Sequence, residues 1–111
     1  MGFFSKFFAT KEPDHAVIVH FHSGQADLQP LFDLEDQLVA AIEAAGVGVF
    51  DGNELAADGS DGYLYMYGPD AGLLFDTIRP ILAASEIMRG ASVKLRYGPP
   101  GKTVKEIETQ I

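Results

Sequence analysis

His20 and His22 are two residues apart in a stretch where apolar and polar side chains alternate, so both imidazoles project from one face of a probable strand. Histidines at this spacing on a strand are a familiar way to present two ligands to a divalent cation. A third ligand would have to come from Asp51, Glu54 or His15, none of which is tied to the pair by spacing. The competing role is simpler: such histidines hydrogen-bond tyrosines or cap a sheet surface, and no metal or other cofactor is expected.

A second group of chemically capable residues is the acidic segment Asp51-Gly52-Asn53-Glu54, followed by Asp58 and Asp61. It collects oxygen donors as a calcium loop does, but Leu55 stands at the third ligand position of the EF-hand pattern and no helix flanks the segment. Turn formation by Asp, Asn and Gly accounts for it better. Asp51 and Glu54 have the chemistry of a general acid or base, yet no nucleophile is marked beside them and no catalytic residue is expected.

Tyr63, Tyr65 and Tyr67 alternate with Leu64 and Met66, which gives a third strand one aromatic and one aliphatic side. Gly62-Tyr63-Leu64-Tyr65-Met66 loosely resembles the strand-three motif of RNA-recognition domains, whose aromatic rings stack on bases. Asp61 replaces the basic residue of that motif and Leu64 its small one, while the first strand offers His20 where an aromatic would stand. With 16 acidic against 8 basic residues and a net charge of -8, the molecule as a whole repels phosphate backbones. RNA binding is therefore a weaker alternative than contact with a protein.

These residues need elements to hold them. The alternation from Ala16 to His22 predicts a first strand with Val17, Val19 and Phe21 inward. A helix follows, capped by Asp27 or Gln29, with Pro30 in its first turn, a stripe of Leu31, Leu34, Leu38, Ile42 and Ala45, and Gly46 as its stop. Val47 to Phe50 predicts a short second strand that empties into an irregular segment from Asp51 to Gly62. Tyr63 to Tyr67 is the third strand. Asp70 caps a second helix carrying Leu74, Ile78, Ile81 and Leu82, in which Pro80 predicts a kink before the last turns toward Ser85 or Met88. Ser92 to Tyr97 is the fourth strand, with Lys94 and Arg96 opposite Val93, Leu95 and Tyr97. The tail from Lys102 to Ile111 alternates as a fifth strand does, against a competing helical reading through Val104, Ile107 and Ile111.

Strand, helix, strand, strand, helix, strand with right-handed crossovers is the pattern of a ferredoxin-like βαββαβ two-layer α+β sandwich. The expected antiparallel sheet order is 4-1-3-2, with a possible fifth C-terminal strand. Both helices then lie on one face. The other face gathers His20, His22, Tyr63, Tyr65, Tyr67, Lys94 and Arg96, with Asp51 and Glu54 at its margin.

A chain of 111 residues, 47% hydrophobic and 22% charged, suits one folded domain over residues 15–111. It has no cysteine, which removes disulfides and thiolate chemistry, and no apolar run long enough to span a bilayer, so a cytoplasmic protein is expected. Residues 1–14 place Phe3, Phe4, Phe7 and Phe8 at helical spacing beside Lys6 and Lys11. This reads as an amphipathic appendage that packs on the domain or makes a weak contact with a membrane or partner. Lys6 occupies the position where a myristoylation signal requires Ser or Thr.

Across residues 16 to 108 the chain resembles a family of small uncharacterised bacterial proteins. The resemblance is carried by Asp51-Gly52-Asn53-Glu54, by Tyr65-Met66-Tyr67-Gly68-Pro69-Asp70-Ala71 and by Arg96-Tyr97-Gly98-Pro99-Pro100-Gly101. It implies no reaction, ligand or catalytic residue. The expectation that follows is a non-enzymatic module which forms a homodimer or binds a protein partner through its bare sheet face. The rival is a small ligand-binding domain or enzyme using His20 or His22 with Asp51 or Glu54.

Overall fold

A computed structural model describes residues 15–22, 27–101 and 103–111. The amphipathic segment expected over residues 1–14, with its four phenylalanines, lies outside the described residues. The elements are β1 (His15–Phe21), α1 (Gln29–Ala45), β2 (Val49–Leu55), β3 (Gly62–Gly68), α2 (Ala71–Ala83), a single 3-10 turn (Glu86–Met88), β4 (Ser92–Arg96) and β5 (Glu106–Gln110). The strands make one antiparallel sheet in the order β2-β3-β1-β4-β5. The sheet thus has five strands rather than the four of the expected 4-1-3-2 order, and the possible fifth C-terminal strand is β5, hydrogen-bonded along the outer side of β4. The helical reading of the tail is thereby overturned, and the fold is α+β with two helices on a five-stranded sheet.

Alternation decides which face is covered. Val17, Val19 and Phe21 of β1, Leu64 and Met66 of β3, and Val93 and Leu95 of β4 are buried in one cluster with the helix side chains. From α1 come Leu31, Leu34, Leu38 and Ile42, and from α2 Leu74, Phe75, Ile78 and Leu82. The two helices therefore share one side of the sheet, as burying one apolar face of each requires. Ala45, expected to extend the α1 stripe, is exposed.

The caps are local chemistry. The N-cap of α1 is Leu28, without a side-chain cap bond, rather than Asp27 or Gln29; Asp27 accepts the Gln29 backbone N–H at 3.0 Å just ahead of it, Pro30 sits in the first turn, and the chain leaves the helix through Gly46 at φ 67, where a residue without Cβ is favoured. Asp70 accepts the backbone N–H groups of Gly72 and Leu73, at 2.9 and 3.2 Å, and so caps α2. Pro80 lies inside α2, but the helix stops at Ala83, and the 3-10 turn replaces the continuation expected toward Met88. None of the helices among the described residues is long and apolar enough to cross a membrane.

β2 is the larger correction. Instead of ending at Phe50 it runs on to Leu55 through a bulge between Phe50 and Asn53, with Gly52 at φ 107. The Asp51–Glu54 segment, read as turn-forming, is edge strand. Asn53 and Glu54 pair with β3, Asn53 also donates from Nδ2 to Glu35 of α1 at 2.5 Å, and Leu55 packs on the core. The true turn is shorter, over Ala56–Asp61, closed by hydrogen bonds from Ala56 N–H to the Asp61 carbonyl and from Gly59 N–H to the Ala56 carbonyl, both 2.9 Å.

Candidate functional site

Registers across the sheet set the bare face as three rows. One runs Tyr67, Ala16, Arg96, Glu106; the next Tyr65, Ile18, Lys94, Glu108; the third Glu54, Tyr63, His20, Ser92, Gln110. His20, Tyr63, Tyr65, Tyr67, Lys94 and Arg96 are thus brought onto one surface, each half-buried. Asp51 is exposed at the β2 bulge and is not drawn into these rows.

Stacking organises the aromatic part. The His20 ring lies on Tyr63 with centroids 4.5 Å apart and planes 13° from parallel, and Tyr63 stacks on Tyr65 at 6.1 Å and 17°. Directly opposed rings, and rings two residues apart on one strand face, are within stacking reach on a pleated surface. The cations stand on the other flank of β1. Lys94 is 4.0 Å from Glu108, a pair too exposed to contribute much stability, and Arg96 donates from Nε to the Gly98 carbonyl at 2.7 Å.

The partners of the titratable groups differ from those expected. Glu54 accepts a hydrogen bond from the Tyr65 hydroxyl at 2.7 Å rather than approaching the histidines. His15, weighed as a metal ligand, instead accepts the Ala71 backbone N–H through Nδ1 at 3.1 Å, at the start of α2, and meets the Tyr97 ring edge-on. What does reach the histidines is Asp61. Its Oδ1 is 2.5 Å from His20 Nε2 and 3.3 Å from His22 Nδ1. The alternation of β1 and β3 could have found it: His20 faces Tyr63 and Phe21 faces Gly62, so one further step sets His22 against Asp61.

The hydrogen bond to Glu54, with desolvation and the Glu54 charge adding to it, pushes the Tyr65 phenol up to about 12. The folded state therefore holds this proton more tightly than the unfolded chain. Its contribution to stability is fully present below about pH 10, the ordinary phenol value, and is lost as pH rises through about 12. A spectrophotometric titration of the tyrosines should show one phenol ionising late, and Glu54→Gln should return it toward its ordinary range. An unchanged titration in that variant would dissociate the effect from Glu54. In the turn, the Ser60 hydroxyl and backbone N–H hold the Asp58 carboxyl below its ordinary value.

Fold and site together define a two-layer α+β domain in which one sheet face is left uncovered by helices among the described residues and is lined with stacked rings. Comparison with protein families, with curated proteins and with solved structures finds no match, so the reading of function rests on this surface.

Proposed function

We propose that the protein is a non-enzymatic, ferredoxin-like module that works by association through its bare sheet face, and that the occupant of this face is a second copy of the chain. The single observation behind the reading is the stacked His20–Tyr63–Tyr65 ladder on the side without helices. Rings of this size in a continuous patch gain most when another surface removes them from water.

Charge placement favours a symmetric contact. A two-fold axis running along β1 sets β4 of each copy over β3 of the other, which brings Lys94 onto the tyrosine row and near Glu54. Cations over aromatic faces are attractive, and this arrangement keeps Lys94 and Arg96 apart from their own copies. Glu54, Asp61, Glu106 and Glu108 on or beside the same face oppose a nucleic-acid backbone. A cytoplasmic setting and membership of the small bacterial family named above belong to the same proposal; neither carries an activity.

Sedimentation velocity tests it. Wild type should show a concentration-dependent dimer, and Tyr63→Ala with Tyr65→Ala should weaken it about 30-fold or more, the loss of about 2 kcal/mol that central aromatic residues of an interface typically carry. A wild type that stays monomeric at every concentration up to its solubility limit removes the proposal.

One observation favours a second reading. The same face holds a concavity of about 360 Å³ lined by Ile18, His20, Tyr63, Tyr65, Lys94 and Glu108 among others. That is within the size range of small-molecule sites, and an aromatic floor beside one ammonium suits a flat, anionic compound. Glu54 supports this site only through Tyr65, and Asp51 takes no part.

A further inference from the structure

We infer that His20, His22 and Asp61 form a binding site for a borderline divalent cation, zinc above all. The donor atoms are two imidazole nitrogens and one carboxylate oxygen, all within 4.8 Å of one another. Ligands at about 2.0–2.1 Å from a tetrahedral zinc lie roughly 3.3 Å apart. His22 Nδ1 and Asp61 Oδ1 are already 3.3 Å apart, and the 2.5 Å between His20 Nε2 and the same oxygen opens by rotation of the carboxylate.

The two imidazoles meet the Asp61 carboxylate together rather than one at a time. Here both converge on a single oxygen, their rings 4.8 Å apart and inclined by 62°. His20 and Asp61 are also set by groups outside the cluster, and His22 follows β1 directly. Stacking on Tyr63 fixes the His20 ring, the Ala56 N–H fixes the Asp61 backbone, and the antiparallel register sets the two strand ends face to face. Ligands oriented in advance by an outer layer are what a metal site requires.

The chemistry of the set selects the ion. Two nitrogens and one oxygen suit zinc and its first-row neighbours, whereas magnesium and calcium take sets made almost wholly of oxygen. The side chain of His22 is 71% exposed, so the site lies open and a bound ion keeps a coordination position for water or an outside ligand. The net charge of -8 raises the local concentration of any cation.

Isothermal titration of the full chain, carrying no histidine tag, with zinc chloride tests the site. Wild type should take up one equivalent of zinc, and His22→Ala and Asp61→Asn should each weaken binding about 10-fold or more. His22→Ala alters a side chain outside the core, and an unchanged circular dichroism spectrum certifies its fold. With Co²⁺ as the probe, wild type should show the visible bands of a nitrogen- and oxygen-ligated ion, diminished in both variants. A wild type that takes up no zinc overturns the inference. So do variants that bind zinc as tightly as wild type.

Discussion

Replacing Phe21 with alanine is expected to cost about 3–5 kcal/mol of folding stability, the usual penalty for deleting a fully buried aromatic ring. The ring has no exposure and sits in the central cluster with Val17, Val19, Leu64 and Met66. Its fit against β3 is close: a Cβ built on Gly62 would come within 2.7 Å of the Phe21 ring and 2.8 Å of Leu55, so glycine leaves the space the ring fills. Since domains of this size carry about 5–15 kcal/mol in all, the variant should sit near the edge of folding, with its melting temperature lower by about 15 °C or more. Phe21→Leu, which retains most of the volume, should lose less than half as much. A thermal melt of the three chains decides it, and a loss below about 1 kcal/mol for alanine would mean that the ring is not part of the core.

The same residue shows how core and site are coupled. Phe21 points to the helices while His20 and His22, on either side of it, point to the bare face, and across the register Gly62 lies between Asp61 and Tyr63 in the same way. The packed pair thus fixes the frame on which the two imidazoles meet the carboxylate and the tyrosine. Phe21→Ala should loosen His20 from Tyr63 before the protein unfolds.

Much of this is legible in the chain because it rests on period two. Strict alternation in Ala16–His22, Tyr63–Tyr67 and Ser92–Tyr97 is enough to separate the two faces, and the six half-buried residues of the bare face follow from it. The β2 strand is not legible in the same way. Asp51-Gly52-Asn53-Glu54 has the composition of a turn, and what makes it a strand is its pairing with β3, further along the chain, together with a bulge that absorbs the extra residue. The site changes with it. A loop would leave Asp51 and Glu54 free to approach the histidines; as edge strand, Glu54 is held opposite Tyr63 and bonded to Tyr65, and Asp51 lies at the bulge. Asp61 escapes a reading of the sequence for a related reason, since its role appears only once the register is extended past the end of β1.

Gly68→Ala should be among the most damaging of the small substitutions, at about 3 kcal/mol. Gly68 ends β3 and is buried where the chain between α1 and β2 crosses it, and a methyl group there would be driven into the Val47 carbonyl oxygen, with the Gly48 backbone 3.3 Å away. The approach is mutual, because a Cβ on Gly48 would meet the Tyr67 carbonyl oxygen. Side chains relieve overlap by changing rotamer; backbone cannot, so β2 must move from β3 and the strand carrying Glu54 moves with it. Gly46→Ala is the informative comparison. That glycine has φ +67 with nothing within 4 Å of an added Cβ, so its substitution costs only the strain of a left-handed alanine, about 1–2 kcal/mol. Urea titrations should therefore show a markedly lower midpoint for Gly68→Ala than for Gly46→Ala at an unchanged slope. Because the clash moves β2, Gly68→Ala should also bring the Tyr65 phenol down from about 12, while Gly46→Ala should leave it there. Equal midpoints would mean that the α1–β2 connection stands clear of β3, and that the β2 edge is held by its ladder alone.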